Sequence, residues 1–293
     1  MTSNHILHPK TETAMDSFVD DPVHALLITG SMGSGKGHLA YILAMRLFDD
    51  ATMTREQYDN HPRIKILRPV EGRSIPIESI RALSSFLNLK LPGNQGNVSR
   101  IVVIEDAQYM TTEAQNALLK TLEEPPAHTV LLLTAPNLDS VLPTIRSRSR
   151  QLAVLPPSTE TVTAYFQGHG HDPDAIVRAL QLSSGLPGLT HLLLAEDQTH
   201  PLYTAVTHAR GILQSKTYER LLLVDTLSKQ KDVCMDIMYV IARMARTAMS
   251  RASDNRTQAR WHGIMKAAYL AEQRLRSSVQ AKLVLTDFML TIG

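Results

Sequence analysis

Residues 101–150 constrain the fold more than any other part of the chain: two apolar runs too short for helices flank one segment of helical period, and proline breaks close it. Ile101 to Ile104 is apolar throughout, the pattern of a strand buried on both faces, and it delivers Glu105 and Asp106 at its carboxyl end. Open α/β sheets bind ligands outside that end. Thr112 and Gln115 are spaced as a capping box, and Ala114, Ala117, Leu118, Thr121 and Leu122 recur at helical spacing until Pro125 and Pro126 forbid continuation. The spacing predicts a helix from about Thr112 to Glu124. Val130 to Thr134 is a second buried strand, and the Pro136-Asn137 and Leu142-Pro143 breaks predict a turn leading to Arg146, Arg148 and Arg150. The periodicity alone reads as an α/β unit with a basic loop.

Upstream, the apolar run Ala25 to Thr29 enters GSMGSGKG at Gly30 to Gly37, and a helix is predicted from near Gly37 to about Phe48. Strand, glycine-rich turn, lysine and helix are what a phosphate-binding loop requires, because backbone N–H groups cradle the phosphate oxygens while Lys36 reaches the terminal ones. Gly30, Gly33, Ser34, Gly35, Lys36, Gly37 and His38 are therefore the candidate nucleotide-binding residues. The position after the lysine ordinarily carries a Ser or Thr hydroxyl for Mg²⁺, and here it is Gly37.

The run TTEAQNALLKTLEEPP, followed about twenty residues later by LPTIRSRS, resembles the ATPase core of bacterial clamp-loader subunits of DNA polymerase III, which are members of the AAA+ family. The match includes positions that no core requires, among them Gln115, Asn116, Lys120, Glu123 and Glu124. The segment Ser74 to Arg81 is similar to the delta-prime branch of that family, without the zinc-binding cysteines that many relatives carry upstream of it. The resemblance implies an α/β class: a P-loop core with a five-stranded parallel sheet and helices on both faces over residues 1–155, a small helical lid over 156–200, and an all-α collar through which subunits oligomerise over 201–293. It implies as partners the delta and gamma/tau subunits of a loader, the sliding clamp, and primed DNA reached through the complex.

Against the family pattern, three positions depart in one direction. Gly37 lacks the metal-binding hydroxyl. Hydrolysing relatives end the third strand in Asp-Glu, whereas Glu105-Asp106 is reversed, which displaces both metal and water by roughly an ångström, more than catalysis tolerates. The start of the third lid helix, Gly185 to Thr190, carries no phosphate-sensing arginine. The resemblance therefore implies ATP or ADP bound weakly at best, Mg²⁺ only where nucleotide binds, no zinc, and no appreciable hydrolysis, with Thr134 at a sensor-like position. Ser147-Arg148-Ser149 keeps the serine and arginine of the family's Ser-Arg-Cys triplet. The resemblance makes Arg148 an arginine finger acting on a neighbouring subunit's ATP, directed outward by the turn after Pro143. The alternatives are an ATP-hydrolysing gamma/tau-like motor subunit and another AAA+ adaptor.

The chain's 293 residues allow about two domains, and its net charge of +2 does not argue for nucleic acid. The distribution is uneven, with fourteen Lys and Arg against seven Asp and Glu from Ala205 to Gly293. Two readings stand for this surplus, a helical bundle with a solvated basic face, which is the commoner case, and a surface that reaches DNA; Arg81 and Lys90 have the same two, a solvated helix face, which is preferred, and contacts to DNA phosphates. Residues 1 to about 20 are polar, with one helical turn expected around Thr13 to Phe18. The single cysteine, Cys234, lies in an apolar helical run and reads as core; one thiol supports neither an internal disulfide nor a zinc site of several thiolates. His169 and His171 have a metal-like spacing but sit in a glycine-rich turn and read as a loop. Neither a leader-like segment nor a membrane span is apparent, and a cytoplasmic protein is expected.

Overall fold

The computed structural model describes residues 6–69, 74–88, 97–277 and 279–292. The chain forms two compact units, Met1–Pro157 and Ser158–Gly293. In chain order the first contains α1 (Pro9–Asp20), β1 (Ala25–Thr29), α2 (Lys36–Leu47), α3 (Arg55–Asp59), β2 (Ile64–Leu67), α4 (Ile77–Leu87), β3 (Arg100–Ile104), α5 (Thr112–Glu123), β4 (Thr129–Ala135), α6 (Pro143–Ser147) and β5 (Arg150–Ala153). The strands form one parallel sheet in the order β2-β3-β4-β1-β5.

The three central strands are apolar at nearly every position because both faces are covered. Leu26, Ile28, Ile101, Val103, Val130 and Leu132 pack on one side with Phe18, Leu39 and Leu43 of α1 and α2. Ala25, Leu27, Val102, Ile104, Leu131 and Leu133 pack on the other with Leu83, Leu118 and Ile145 of α4, α5 and α6. Successive side chains of a strand point to opposite faces, so one continuous run serves two cores. The edge strands β2 and β5 mix buried residues with exposed and half-buried ones.

Two local expectations are corrected. The cap of α5 is Thr111, whose Oγ1 accepts from Ala114 N at 3.1 Å, so Thr112 and Gln115 form no capping box. Gln115 instead donates to Met110 O at 3.3 Å and accepts from Leu142 N at 2.9 Å, tying the start of α5 to the segment that enters α6. The N-terminal segment is a twelve-residue helix, not one turn, with Thr11, Met15 and Phe18 buried at helical spacing. Arg150 fastens its far end, donating to Ser17 Oγ at 2.6 Å and to the Ser17 and Asp21 carbonyls at 3.4 Å.

The second unit is all helical: α7 (Thr159–Gly168), α8 (Pro173–Ser183), α9 (Pro187–Leu194), α10 (Pro201–Gln214), α11 (Thr217–Leu227), α12 (Lys231–Arg251), α13 (Asn255–Arg276) and α14 (Ala281–Thr291). Ser183 and Thr190 share a buried hydrogen bond of 2.7 Å that joins α8 to α9. Arg220 is buried, donating to Ile212 O at 2.8 Å and Ile292 O at 2.9 Å, so part of the basic surplus is internal. Cys234 is buried, donating to Leu227 O, and burial pushes its thiol up to about 11. His169 stacks on Tyr165 and His171 meets Phe166 edge-on. Among the described residues no group of three His, Cys, Asp or Glu side chains could hold a metal ion, and no helix is long and apolar enough to cross a membrane. Arg81 is exposed on α4, while Lys90 lies outside the described residues.

Thr11 generates a stability prediction. Its Oγ1 donates to Ala153 O and accepts from Leu155 N, both at 3.0 Å, in a site 1% exposed. Thr11→Val keeps the shape but strands the Leu155 amide, which costs about 1–3 kcal/mol. Urea unfolding followed by a probe in the first unit should show a lower midpoint with an unchanged slope; an unaltered midpoint would mean that this tie carries no stability.

Candidate functional site

The loop after β1 sits at the carboxyl edge of the sheet, where Gly30 N donates to Ala135 O of β4 at 3.2 Å. A Cβ on Gly30 would lie 2.9 Å from Ser34 Oγ and 3.1 Å from Val154 Cβ, so only glycine fits where the chain turns against β5. Gly33 and Gly35 have φ of 80° and 91°, in the left-handed region that glycine enters without strain. Gly35 caps α2, and its carbonyl accepts the first intrahelical bond from Leu39 N at 2.9 Å. The amides preceding Leu39 therefore have no acceptor within the helix and open toward the loop.

Lys36 is the first residue of α2 and is 8% exposed; its Nζ donates to Ser31 O at 3.2 Å. Burial lowers its pKa, with the nearby Asp106 charge acting in the opposite direction. The Ser34 hydroxyl is also buried, without a hydrogen-bond partner, inside the loop across from Gly30. His38 tilts against Tyr41 with ring centroids 5.8 Å apart. Amides, a buried ammonium and an unsatisfied hydroxyl fit a phosphate group.

The same residues do not fit a Mg²⁺ ion. Position 37 offers no hydroxyl although there is room for one, since an added Cβ would meet Glu105 Oε1 at an ordinary 3.7 Å. Glu105 is already engaged: Arg68 Nε lies 3.0 Å from its Oε2 and Arg55 approaches Oε1 at 3.7 Å. Both guanidiniums also reach Asp59, at 2.7 Å from Arg68 and 3.6 Å from Arg55. Arg55 is further fixed over the Tyr58 ring at 5.0 Å. With its oxygens committed to arginines in a cluster of two cations and two carboxylates, Glu105 has little negative charge left to offer a dication.

Asp106 adopts φ 53°, and its backbone N donates to Thr134 Oγ1 at 2.9 Å. Thr134 thus holds the turn that carries the acidic pair, and Gln108 donates to Asp106 Oδ1 at 3.2 Å. The predicted loop residues, the acidic pair and Thr134 converge at this edge.

Arg148 does not join them. It caps α6 two residues before β5, whose first residue, Arg150, pairs with Leu26 near the start of β1. It therefore lies at the amino edge of the sheet, about 15 Å from the loop at roughly 3.3 Å per strand residue. The expected turn after Pro143 is the short helix α6, and the guanidinium is held by Glu123 at the end of α5, at 2.8 Å, and by Thr144 O at 3.2 Å. Ser149 replaces the cysteine of the triplet and donates to Ile145 O at 2.9 Å in a buried site. Arg146 pairs with Asp139 at 3.1 Å.

Sequence reasoning missed Arg55, Asp59 and Arg68. Arg55 and Asp59 are visible as an i, i+4 pair and Arg68 directly follows the run of β2, but nothing local connects them to Glu105.

Burial of Lys36 has a measurable consequence. Its folded pKa lies below the unfolded value, so the unfolded chain binds the proton better and stability rises with pH through that window. Lys36→Met should therefore stabilise the chain at neutral pH, by about 0.5–2 kcal/mol. The gain should shrink as pH approaches about 10.4, where an unfolded lysine also loses its proton. Chemical unfolding across pH 6 to 10 checks this, and a destabilised variant would show that the ammonium is better satisfied than its geometry indicates.

Residues 16–158 match the family model described as DNA polymerase III, delta subunit. A delta-prime subunit of DNA polymerase III from Escherichia coli strain K12 is 33% identical over 189 residues, covering 59% of this chain and 55% of the relative. Its counterpart in Pseudomonas aeruginosa PAO1 is 32% identical over 180 residues, covering 56% and 53%. The matched stretch thus spans about half the length of these relatives. Among solved structures, a DNA polymerase III gamma subunit-related protein from Thermotoga maritima superimposes with a TM-score of 0.53 at 19% identity, covering 97% of this chain and 98% of the other, a likeness of fold. Through residues 16–158 the chain is similar to the DNA polymerase III delta subunit family, and the curated relatives it resembles include delta-prime and gamma/tau subunits.

Proposed function

We propose that this protein is the delta-prime-type subunit of a DNA polymerase III clamp loader: a fixed member of a ring of related ATPase subunits that helps load a sliding clamp onto primed DNA. Its partners are delta and gamma/tau subunits, the clamp, and DNA reached through the assembly; such work belongs in the cytoplasm. Within the second unit, helices α7 to α9 act as the lid and α10 to α14 as the collar, dividing the chain near residues 155 and 200.

The observation that carries this reading is the separation of Arg148 from the chain's own loop. An arginine at the amino edge of the sheet cannot reach a phosphate held at the carboxyl edge of the same sheet, so its catalytic use lies in a neighbour. Its side chain stays about one-third exposed and is steadied by Glu123 without being buried. The chain's own site lacks the groups that hydrolysis needs: Gly37 has no hydroxyl, Glu105 is bound by arginines, and α9 contains no arginine. The motor reading is disfavoured on the same grounds.

Two measurements test this. The isolated subunit should show no sustained Mg²⁺-dependent ATP turnover, and turnover abolished by Lys36→Ala would favour a motor. In the reconstituted loader, Arg148→Ala should leave assembly intact by gel filtration while slowing hydrolysis at the adjacent site by ~10³-fold or more, the scale of other arginine fingers. Arg148→Lys should not rescue it, because an ammonium cannot reproduce the planar two-pronged contact. A loader that assembles and hydrolyses ATP at the parental rate with Arg148→Ala would reduce Arg148 to part of a surface ion pair.

A further inference from the structure

We propose that the loop binds the diphosphate of a nucleotide without a divalent cation, because Arg68 and Arg55 neutralise the carboxylate that a metal would otherwise have to neutralise. This rests on reading the loop as a nucleotide site and is independent of Arg148.

In a phosphate site, the acidic residue at the end of β3 is a liability unless a cation stands between it and the ligand, since two anions at close range repel. Here Glu105 lies within van der Waals reach of the start of α2, 3.7 Å from where a Gly37 Cβ would be. Its charge is taken up within the protein. Arg68 contacts both of its oxygens, at 3.0 and 3.4 Å, and Arg55 stands at 3.7 Å. Asp59 holds both guanidiniums from the other side, and the Tyr58 and Tyr41 rings lie 5.0 and 5.6 Å from the Arg55 guanidinium, so the cations are in place before any ligand arrives. Burial opposes the Arg68 charge, but the hydrogen bonds that Arg68 donates to Glu105 and Asp59 outweigh it and raise its pKa.

With Glu105 neutralised, the groups facing a phosphate are donors. They are the amides at the start of α2, the Lys36 ammonium, which donates to the neutral Ser31 carbonyl, and the Ser34 hydroxyl, buried and without a partner. Asp106, the remaining carboxylate, accepts from Gln108 at Oδ1 while its backbone N–H donates to Thr134, and its charge lies close enough to Lys36 to favour the ammonium. The ligand class is a nucleoside diphosphate or another diphosphate.

Calorimetric titration of the full chain with ADP, and separately with inorganic pyrophosphate, tests this in EDTA and in Mg²⁺. Affinity in the two conditions should agree within about twofold for at least ADP and should be lost in Lys36→Ala. Arg68→Gln, with folding checked by circular dichroism, should weaken binding in EDTA roughly tenfold and make it Mg²⁺-dependent, because Glu105 is then exposed to the phosphate. Pairing Arg68→Gln with Glu105→Gln should restore metal-free binding, and Arg68→Lys should retain it. The proposal is overturned if the wild-type chain requires Mg²⁺, if Arg68→Gln binds in EDTA like the wild type, or if neither probe binds at millimolar concentration. None of these outcomes touches Arg148, whose test is hydrolysis at a neighbouring site.

Discussion

Burial of the parallel sheet on both faces is the constraint from which the first unit follows. Strands with Leu, Ile and Val on each side leave no face for chemistry, so polar function is confined to the two edges where the strands begin and end. The carboxyl edge gathers the glycine-rich loop, the acidic pair and Thr134. The amino edge carries Arg148 on its short helix. Because all five strands are parallel, the two edges cannot exchange members: a residue just before a strand and a residue just after one are separated by the strand's whole length.

Between these edges, polar side chains make the long-range ties that apolar packing cannot specify. Gln115 links α5 to the entry of α6, Thr11 and Arg150 bind α1 to β5, and Glu123 braces Arg148 from the end of α5. Each satisfies a backbone group or positions a charge, and none adds appreciably to the core.

The nucleotide-like loop is strained in a consistent direction. Lys36 is buried against a neutral carbonyl, Ser34 has no partner, and Asp106 sits in the left-handed region. Such costs persist where surrounding structure enforces them. Here the enforcing elements are the three left-handed or crowded glycines and the hydrogen bond from the Asp106 amide to Thr134. The arginine pair on Glu105 gives this edge a different electrostatic character from a metal site built on the same backbone.

Much of this was legible in the chain itself. The apolar runs of β1, β3 and β4, the loop between Gly30 and Gly37, the proline stops after α5 and the helical second unit are all local patterns, set by residues a few positions apart, and sequence spacing reports such patterns directly. The length of α1 was not legible, because it depends on Thr11 and Arg150 finding partners at the far end of the first unit. Nor was the cap at Thr111, since Gln115 is drawn to Leu142 in preference to its own helix start. The occupation of Glu105 by Arg68, 37 residues away, was decided only when β2 paired with β3 and brought their carboxyl ends together. Charge pairing across strands is a property of register and strand order. A one-dimensional pattern contains neither, and for that reason the chain alone determined which groups were available at the site while the tertiary structure decided which of them neutralise one another.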